Sequence, residues 1–401
     1  MFLDKSATID PAAFDALVVG CGFSGATVAR TLADAGRRVL VLEEKPEVGG
    51  MMADYTDSNG ICIHKYGPHV FMLNDDAIRD WLTRFCTLRP VVNYVHAFIE
   101  GKYVSIPANF HSLDALYGPE KSRRLQEKLL ARYGEGAQVH ILALRDDPDP
   151  EIRAMADDLY AKIFIGYNAK MWGLKPEELD PSIPGRLPVR IAYNNKNCRK
   201  KYELVPDEGY VALFARLLDS PNIAVVLSTK ASERLRVAGN RLELDGRPFD
   251  RPVAYSAPLD ELFGFEFGPL PYRALRFEFD VRPGPRPAPS AVTTFPLDFD
   301  KVRTTDMVEL LDQRQVADFV ADVSEFPGPY TPGDGPFNVP AYPVLNDASA
   351  GLLARYREKA AAIPNLFPVG RLAEFKYFDM EAAISSALAC SQRILKGDSH
   401  V

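Results

Sequence analysis

The sequence predicts an α/β protein built around a discontinuous Rossmann-like domain, with a helical insertion and an antiparallel sheet domain. Three observations predict it. Val18-Val19-Gly20-Cys21-Gly22-Phe23-Ser24-Gly25 lies near the amino terminus between an apolar strand and a helix. Glu43-Glu44 follows at the end of a second apolar strand, with Gly49-Gly50-Met51 shortly after it. Late in the chain, Leu366-Phe367-Pro368-Val369-Gly370 again leads from a strand through a glycine toward a helix.

Taken in order, 16–19 and 38–42 read as strands flanking a first helix at 26–35. Gly20 allows the turn, Gly22 lets backbone approach a phosphate, and Gly25 lets the helix pack on the strand. Free N–H groups at the helix start, reinforced by the helix dipole, favour an anion there. Glu43 ends the second strand, where its carboxylate can accept hydrogen bonds from ribose hydroxyls. The segment 61–63 reads as a short strand entering Lys65-Tyr66-Gly67-Pro68-His69-Val70-Phe71, and 75–86 as a helix. Strands at 94–99 and 103–106, joined by Glu100-Gly101-Lys102, read as a hairpin. From 112 to 168 the pattern is helical, with Leu125, Leu129, Leu130 and Tyr133 on one face. Pro181-Ser182-Ile183-Pro184-Gly185 is too rich in proline for a helix and reads as a mobile loop near 181–190. Alternating elements then return: helix 210–218, strand 223–227, a hairpin at 235–244 turning at Gly239-Asn240, a buried strand at 253–258 and a strongly alternating strand at 275–281. The last helix is expected at 380–396.

These elements divide the chain into a nucleotide-binding domain (1–75, 210–265 and 350–401), a helical insertion (76–90 and 112–180) and a sheet domain on the substrate side (91–111, 181–209 and 266–349). A second strand–glycine–helix unit suits a wall closing over a long cofactor. FAD would need such a wall, whereas a small NAD domain would not. Only one strong glycine fingerprint is visible, so no second nucleotide domain is expected.

With 401 residues the chain can bury a large core, and 47% hydrophobic with 25% charged residues is an ordinary globular composition. No apolar run approaches the roughly 20 residues that span a bilayer. A net charge of −7 argues against generic nucleic-acid binding. Cys21, Cys62, Cys86, Cys198 and Cys390 show no CxxC pairing and read as reduced thiols of a cytoplasmic protein. The histidines lack ligand spacing, so no metal is expected.

Four segments then carry a resemblance. Ile63-His64-Lys65-Tyr66-Gly67-Pro68-His69-Val70-Phe71, Gly166-Tyr167 with Trp172-Gly173, Arg186-Leu187-Pro188-Val189-Arg190, and the run from Gly370-Arg371-Leu372 through Tyr377-Phe378-Asp379-Met380 occur in that order. Together the series resembles the bacterial UDP-galactopyranose mutases over nearly the whole chain. The resemblance implies an isomerase that needs reduced FAD without net redox change. In that family flavin N5 attacks the anomeric carbon and expels the nucleoside diphosphate; the sugar ring opens, and it recloses as the furanose.

The resemblance also implies roles. Gly20, Gly22, Phe23, Ser24, Gly25, Glu43, Glu44, Gly49, Gly50 and Met51 fall on the ADP side of FAD. Pro68 and His69 form the turn against the isoalloxazine, where a backbone carbonyl accepts from reduced N5. Arg371, Phe378, Asp379 and Met380 fall beside the flavin pyrophosphate and ribityl chain. Arg186 and Arg303 match the pair that clamps the substrate diphosphate. Trp172 matches the aromatic that closes over substrate, Tyr167 and Phe164 flank the base, and Asn93, Tyr342 and Tyr377 fall on the pocket wall. A UDP-galactose substrate, an external flavin reductant and a homodimer are expected on the same ground. Met72 stands where the family usually has histidine, Met51 where it has asparagine, and Asn197 where it has a pocket tyrosine. Another nucleotide sugar therefore stays open as substrate, as does a flavin oxidase or dehydrogenase of the amine-oxidase type.

Overall fold

The apolar runs at the amino terminus form a six-stranded parallel sheet whose order is Phe2–Leu3, Ile223–Val226, Val39–Leu42, Ala16–Val19, Val253–Tyr255 and Leu366–Pro368. The computed structural model describes residues 1–173, 188–196, 200–331 and 338–397. Parallel strands covered on both faces need apolar side chains in both directions, which is why these runs are continuous and not alternating. Val18, Val41, Val225 and Phe367 pack on one side with the helices Phe23–Asp34, Tyr210–Leu218 and Met380–Lys396. Leu17, Leu40, Val226 and Tyr255 pack on the other, under the three-stranded sheet that begins with the Leu235–Ala238 and Arg241–Leu244 hairpin and under the helix Asp347–Ala361. The fingerprint strand Ala16–Val19 lies inside the sheet, between Val39–Leu42 and Val253–Tyr255, so the glycine fingerprint lies at the crevice where strand order reverses.

A seven-stranded sheet forms the other body: Tyr342–Pro343, Tyr272–Pro283, Phe319–Pro329, Arg303–Asp306, Val292–Thr294, Val95–Ile99 and Lys102–Ile106. It is antiparallel except at one junction, where Val292–Thr294 runs parallel to Val95–Ile99. The alternation at 275–281 extends into a long pairing from Arg273 to Pro283, opposite Pro329 to Phe319.

The segment expected to be helical from 112 to 168 is helical in pieces: Phe110–Leu116, Pro119–Tyr133, Ile141–Arg145 and Pro150–Leu159. Gly134 and Gly136, both at positive φ, break it and admit the strand Gln138–His140, which pairs with Pro188–Arg190. A π-helical stretch, Tyr160–Ile165, then precedes the helix Gly166–Trp172. The helix expected at 75–86 is shorter, Asp76–Leu82, with Asp75 accepting from the Ala77 N–H as its cap. Ile78 and Leu82 pack with the nucleotide-side core. No helix among the described residues is long and apolar enough to cross a membrane. Most of the proline-rich segment at 181–190 lies outside the described residues, as do Arg186, Asn197 and Cys198.

Candidate active site

Close packing explains two of the three fingerprint glycines. A Cβ on Gly25 would sit 1.9 Å from the Gly20 carbonyl oxygen, so the first helix rests directly on the turn. Gly20 itself has φ +89°, and a Cβ there would meet Ser256 Oγ at 2.3 Å. Gly22 differs: its nearest neighbour would be the Gly49 carbonyl oxygen at 3.9 Å, so the chain itself leaves this position open. Gly22 is the N-cap of Phe23–Asp34 and no side chain caps that helix, so its first N–H groups are left for an anion.

These residues open onto a cavity with about 1470 Å³ of empty space, its mouth included. Gly20, Gly22, Phe23, Ser24, Glu43, Glu44, Gly49, Gly50 and Met51 line one side. Arg371, Phe378, Asp379 and Met380 line it too, brought there by the last strand and helix. Gly25, Pro68 and His69 do not line it. Glu43 is buried, and its oxygens accept from the Cys21 N–H at 2.6 Å and the Lys45 N–H at 2.9 Å. Burial nevertheless pushes its carboxyl up to about 7. Each oxygen keeps a second lone pair, so the group can still accept from a diol. The uncapped helix start, the open glycine and the acid together fit a dinucleotide.

Sequence reasoning missed Ser256, Glu261, Tyr330 and Ala341, which also line this cavity. Ser256 was within reach, because it ends the strand beside the fingerprint strand, where such sheets bind ligands. Burial, with Glu44 and Asp260 nearby, raises Glu261 to about 7.

On the sheet side, Arg303 lies opposite Glu325 in the antiparallel register, and Glu325 is buried. The guanidinium binds it with two hydrogen bonds, Nε to Oε1 at 2.6 Å and Nη2 to Oε2 at 2.8 Å. Burial works against the Arg303 charge, but Glu325 and Tyr167 hold its ionisation above the usual arginine range. Nη1 takes no part in this fork, so part of its donor set remains for a ligand. Tyr342 and Tyr377 stack at 5.6 Å with Arg371 over both rings. Arg371 Nε donates to the Phe378 carbonyl at 2.9 Å and Nη1 to the Ala341 carbonyl at 3.0 Å, which ties the final loop to the sheet.

Arg303 lies within electrostatic reach of His69, Tyr167 and Tyr342, Arg371 within reach of His69 and Tyr342, and Tyr377 within reach of Tyr167 and Tyr342. Shielding from water, then the His64 ring and the Arg371 charge, push His69 down to about 3, so it is neutral at pH 7. Burial raises Tyr342 to about 12. The other expected residues have these contacts. Phe164 is buried in the core, its ring near Tyr160. Trp172 ends the helix Gly166–Trp172, whose last carbonyls, Lys170 and Met171, accept from Arg273. Asn93 donates its N–H to Glu203 Oε2 at 3.1 Å.

Asp54, Cys62 and His64 place potential ligand atoms within 4.8 Å of one another. Each has other work. Asp54 accepts from the Tyr210 and Val211 N–H groups at the start of a helix, and burial pushes the Cys62 thiol up to about 12. His64 Nδ1 accepts from the His69 N–H at 3.0 Å, which leaves the ring proton on Nε2 and no lone pair for a cation.

A parallel sheet with this fingerprint, joined to a second sheet that presents arginine and tyrosines, defines a dinucleotide-cofactor enzyme of the Rossmann class. Residues 18–85 match the model of an NAD(P)-binding Rossmann-like domain, and residues 162–377, more than half the chain, match that of UDP-galactopyranose mutase. A UDP-galactopyranose mutase of Mycoplasma pneumoniae is 29% identical, with 96% of each chain covered. A dTDP-fucopyranose mutase of Escherichia coli is also 29% identical, over 95% of this chain and 98% of the relative. The crystal structure of a reduced UDP-galactopyranose mutase superposes with a TM-score of 0.65 at 14% identity, covering 96% of both chains. The chain belongs to the UDP-galactopyranose mutase family and is a flavin-dependent mutase of nucleotide sugars.

Proposed function

We propose that the protein holds FAD in the fingerprint cavity and interconverts the pyranose and furanose forms of a nucleotide sugar, with UDP-galactose as the first candidate substrate. The observation that carries this reading is one cavity shared by the two ends of the chain. Gly20 to Ser24 line the same cavity as Arg371, Leu372, Phe378, Asp379 and Met380, while Arg303 stands on the sheet near Tyr167, Tyr342 and His69. When bound and reduced, the flavin supplies the nucleophile for the anomeric carbon.

The chain's own residues do the rest. The uncapped N–H groups after Gly22 would take the cofactor pyrophosphate, and Glu43 the ribose hydroxyls. Glu325 fixes the Arg303 fork before substrate arrives, so the free donors meet the departing diphosphate without reorganising. Arg186 is assigned the second guanidinium by the family pattern. Tyr167 and Trp172 would cover the base and the mouth, and Tyr342, Tyr377 and Asn93 would line the sugar and phosphate side. A neutral His69 adds no charge of its own beside the flavin.

Because relatives act on both UDP- and dTDP-linked sugars by name, the base and sugar are settled by experiment. Purified protein reduced with dithionite is incubated with UDP-galactose and with dTDP-fucose, and furanose products are separated by chromatography. A furanose product from either supports the mutase, and the faster one names the substrate. Bleaching of oxidised flavin by substrate in a parallel sample without dithionite, with no furanose formed in the reduced one, would replace this reading with an oxidase.

A further inference from the structure

We infer that His64 is a positioning residue: by accepting the His69 N–H it fixes the plane of the Pro68–His69 peptide and so aims the Pro68 carbonyl. This inference rests on the reading above, in which the Pro68–His69 turn lies against the flavin.

The geometry is simple. The His69 N–H and the Pro68 C=O belong to one peptide unit, and in a trans unit they point in opposite directions. His69 N–H donates to His64 Nδ1 at 3.0 Å. The Pro68 carbonyl therefore faces away from the His64 ring, which is only 2% exposed, whereas Pro68 and His69 are partly exposed. A second bond holds the next unit: Tyr210 Oη donates to the His69 carbonyl at 3.1 Å. Both polar groups of the His69 backbone are thus bound by buried rings, and those rings meet edge-on at 5.3 Å.

The anchors are themselves anchored. Tyr210 is fully buried and opens the helix Tyr210–Leu218, whose first N–H groups are held by Asp54. His64 ends the strand Cys62–His64, paired with Asp54–Thr56. Burial pushes the His64 ring down to about 4, so at neutral pH its Nδ1 lone pair is available. Proline at 68 sharpens the requirement. Its ring fixes φ at 68, so the tilt of the 68–69 unit turns on ψ of Pro68 alone, and the bond from the His69 N–H holds that angle.

The test begins with the wild-type holoenzyme. The chain has six histidines, so ¹⁵N-histidine labelling can resolve the ring nitrogens of His64 and the His69 amide. His64 is expected as the Nε2–H tautomer with a hydrogen-bonded Nδ1. A proton on Nδ1 overturns the inference, whatever the variants do. His64→Phe keeps a ring of similar size and removes the acceptor, while His64→Asn restores an acceptor near the Nδ1 position. In His64→Phe, exchange of the His69 amide should quicken by about tenfold or more and the flavin midpoint potential should move. Both should return toward wild type in His64→Asn. Unchanged amide exchange overturns the inference, and so does faster exchange with an unmoved potential. Absence of furanose product from wild-type enzyme would remove the mutase reading and leave the tautomer result standing.

Discussion

At the scale of single residues, the clamp assignment makes a prediction that separates charge from geometry. Arg303→Ala would strand Glu325, a carboxylate only 1% exposed, and breaking such a pair costs about 3–5 kcal/mol. A dead Arg303→Ala enzyme would thus confuse folding with catalysis. Arg303→Lys keeps a cation beside Glu325 and loses the planar fork. It should hold flavin at full stoichiometry and melt within a few degrees of wild type, yet turn over roughly 10²-fold more slowly. Turnover equal to wild type would show that the fork is not used. Glu261 gives a second prediction, with sign. Its folded carboxyl lies near 7, above its ordinary 4.5, so its contribution to stability is complete below pH 4.5 and is lost as pH rises through 7. Glu261→Gln retains an acceptor for Tyr330 and removes the titration. Between pH 5 and pH 8, urea unfolding should shift in favour of the variant by about 2 kcal/mol, after allowance for partial exposure. A difference that stays constant with pH would show that Glu261 titrates normally.

At the scale of elements, the strands Phe71–Leu73 and Tyr202–Pro206 give Met72 a physical context. Met72 and Glu203 are direct cross-strand partners, so their side chains share one face. Glu203 accepts the Asn93 N–H through Oε2, while Oε1 is buried with no partner among the described residues, and so is Asn93 Oδ1. A histidine at 72 would bring an N–H toward two unpaired acceptors. Met72→His should therefore raise the melting temperature by a few degrees. It should also change the ratio of activities on UDP-galactose and dTDP-fucose if this face borders the sugar. A lowered melting temperature would show that the imidazole does not reach them.

The same elements show what was legible in the chain. The fingerprint strands, the 95–106 hairpin and the last helix could be read because apolar runs and glycine punctuation are local signals. The strand at 138–140 could not, because Gln138-Val139-His140 is too short and polar, and its partner Pro188–Arg190 is distant in sequence. The π turn at Tyr160–Ile165 was likewise hidden, since the apolar spacing through it still reads as helix. Among site residues, Glu325 and His64 escaped because their roles depend on register and on a turn closing back five residues later.

At the scale of the whole molecule, the cavity exists only because the end of the chain returns to its beginning. Ser256, at the end of an intervening strand, lies against Gly20, and Gly370 rests on Ser24. Gly370 has φ +88°, and a Cβ there would come within 2.3 Å of Ser24 Oγ and 2.7 Å of its Cβ. Gly36 supplies a control: its φ is +79°, and a Cβ would meet nothing within 4 Å. Alanine at either site carries a similar backbone strain, of order 1 kcal/mol. Only at 370 does it also push the final strand–helix unit off the first helix. Gly36→Ala should therefore lose a few degrees of melting temperature and keep its flavin. Gly370→Ala should weaken flavin retention by tenfold or more, read as the flavin-to-protein ratio after dialysis. Equal retention in the two variants would show that left-handed backbone, and not closure of the chain ends, is what Gly370 provides.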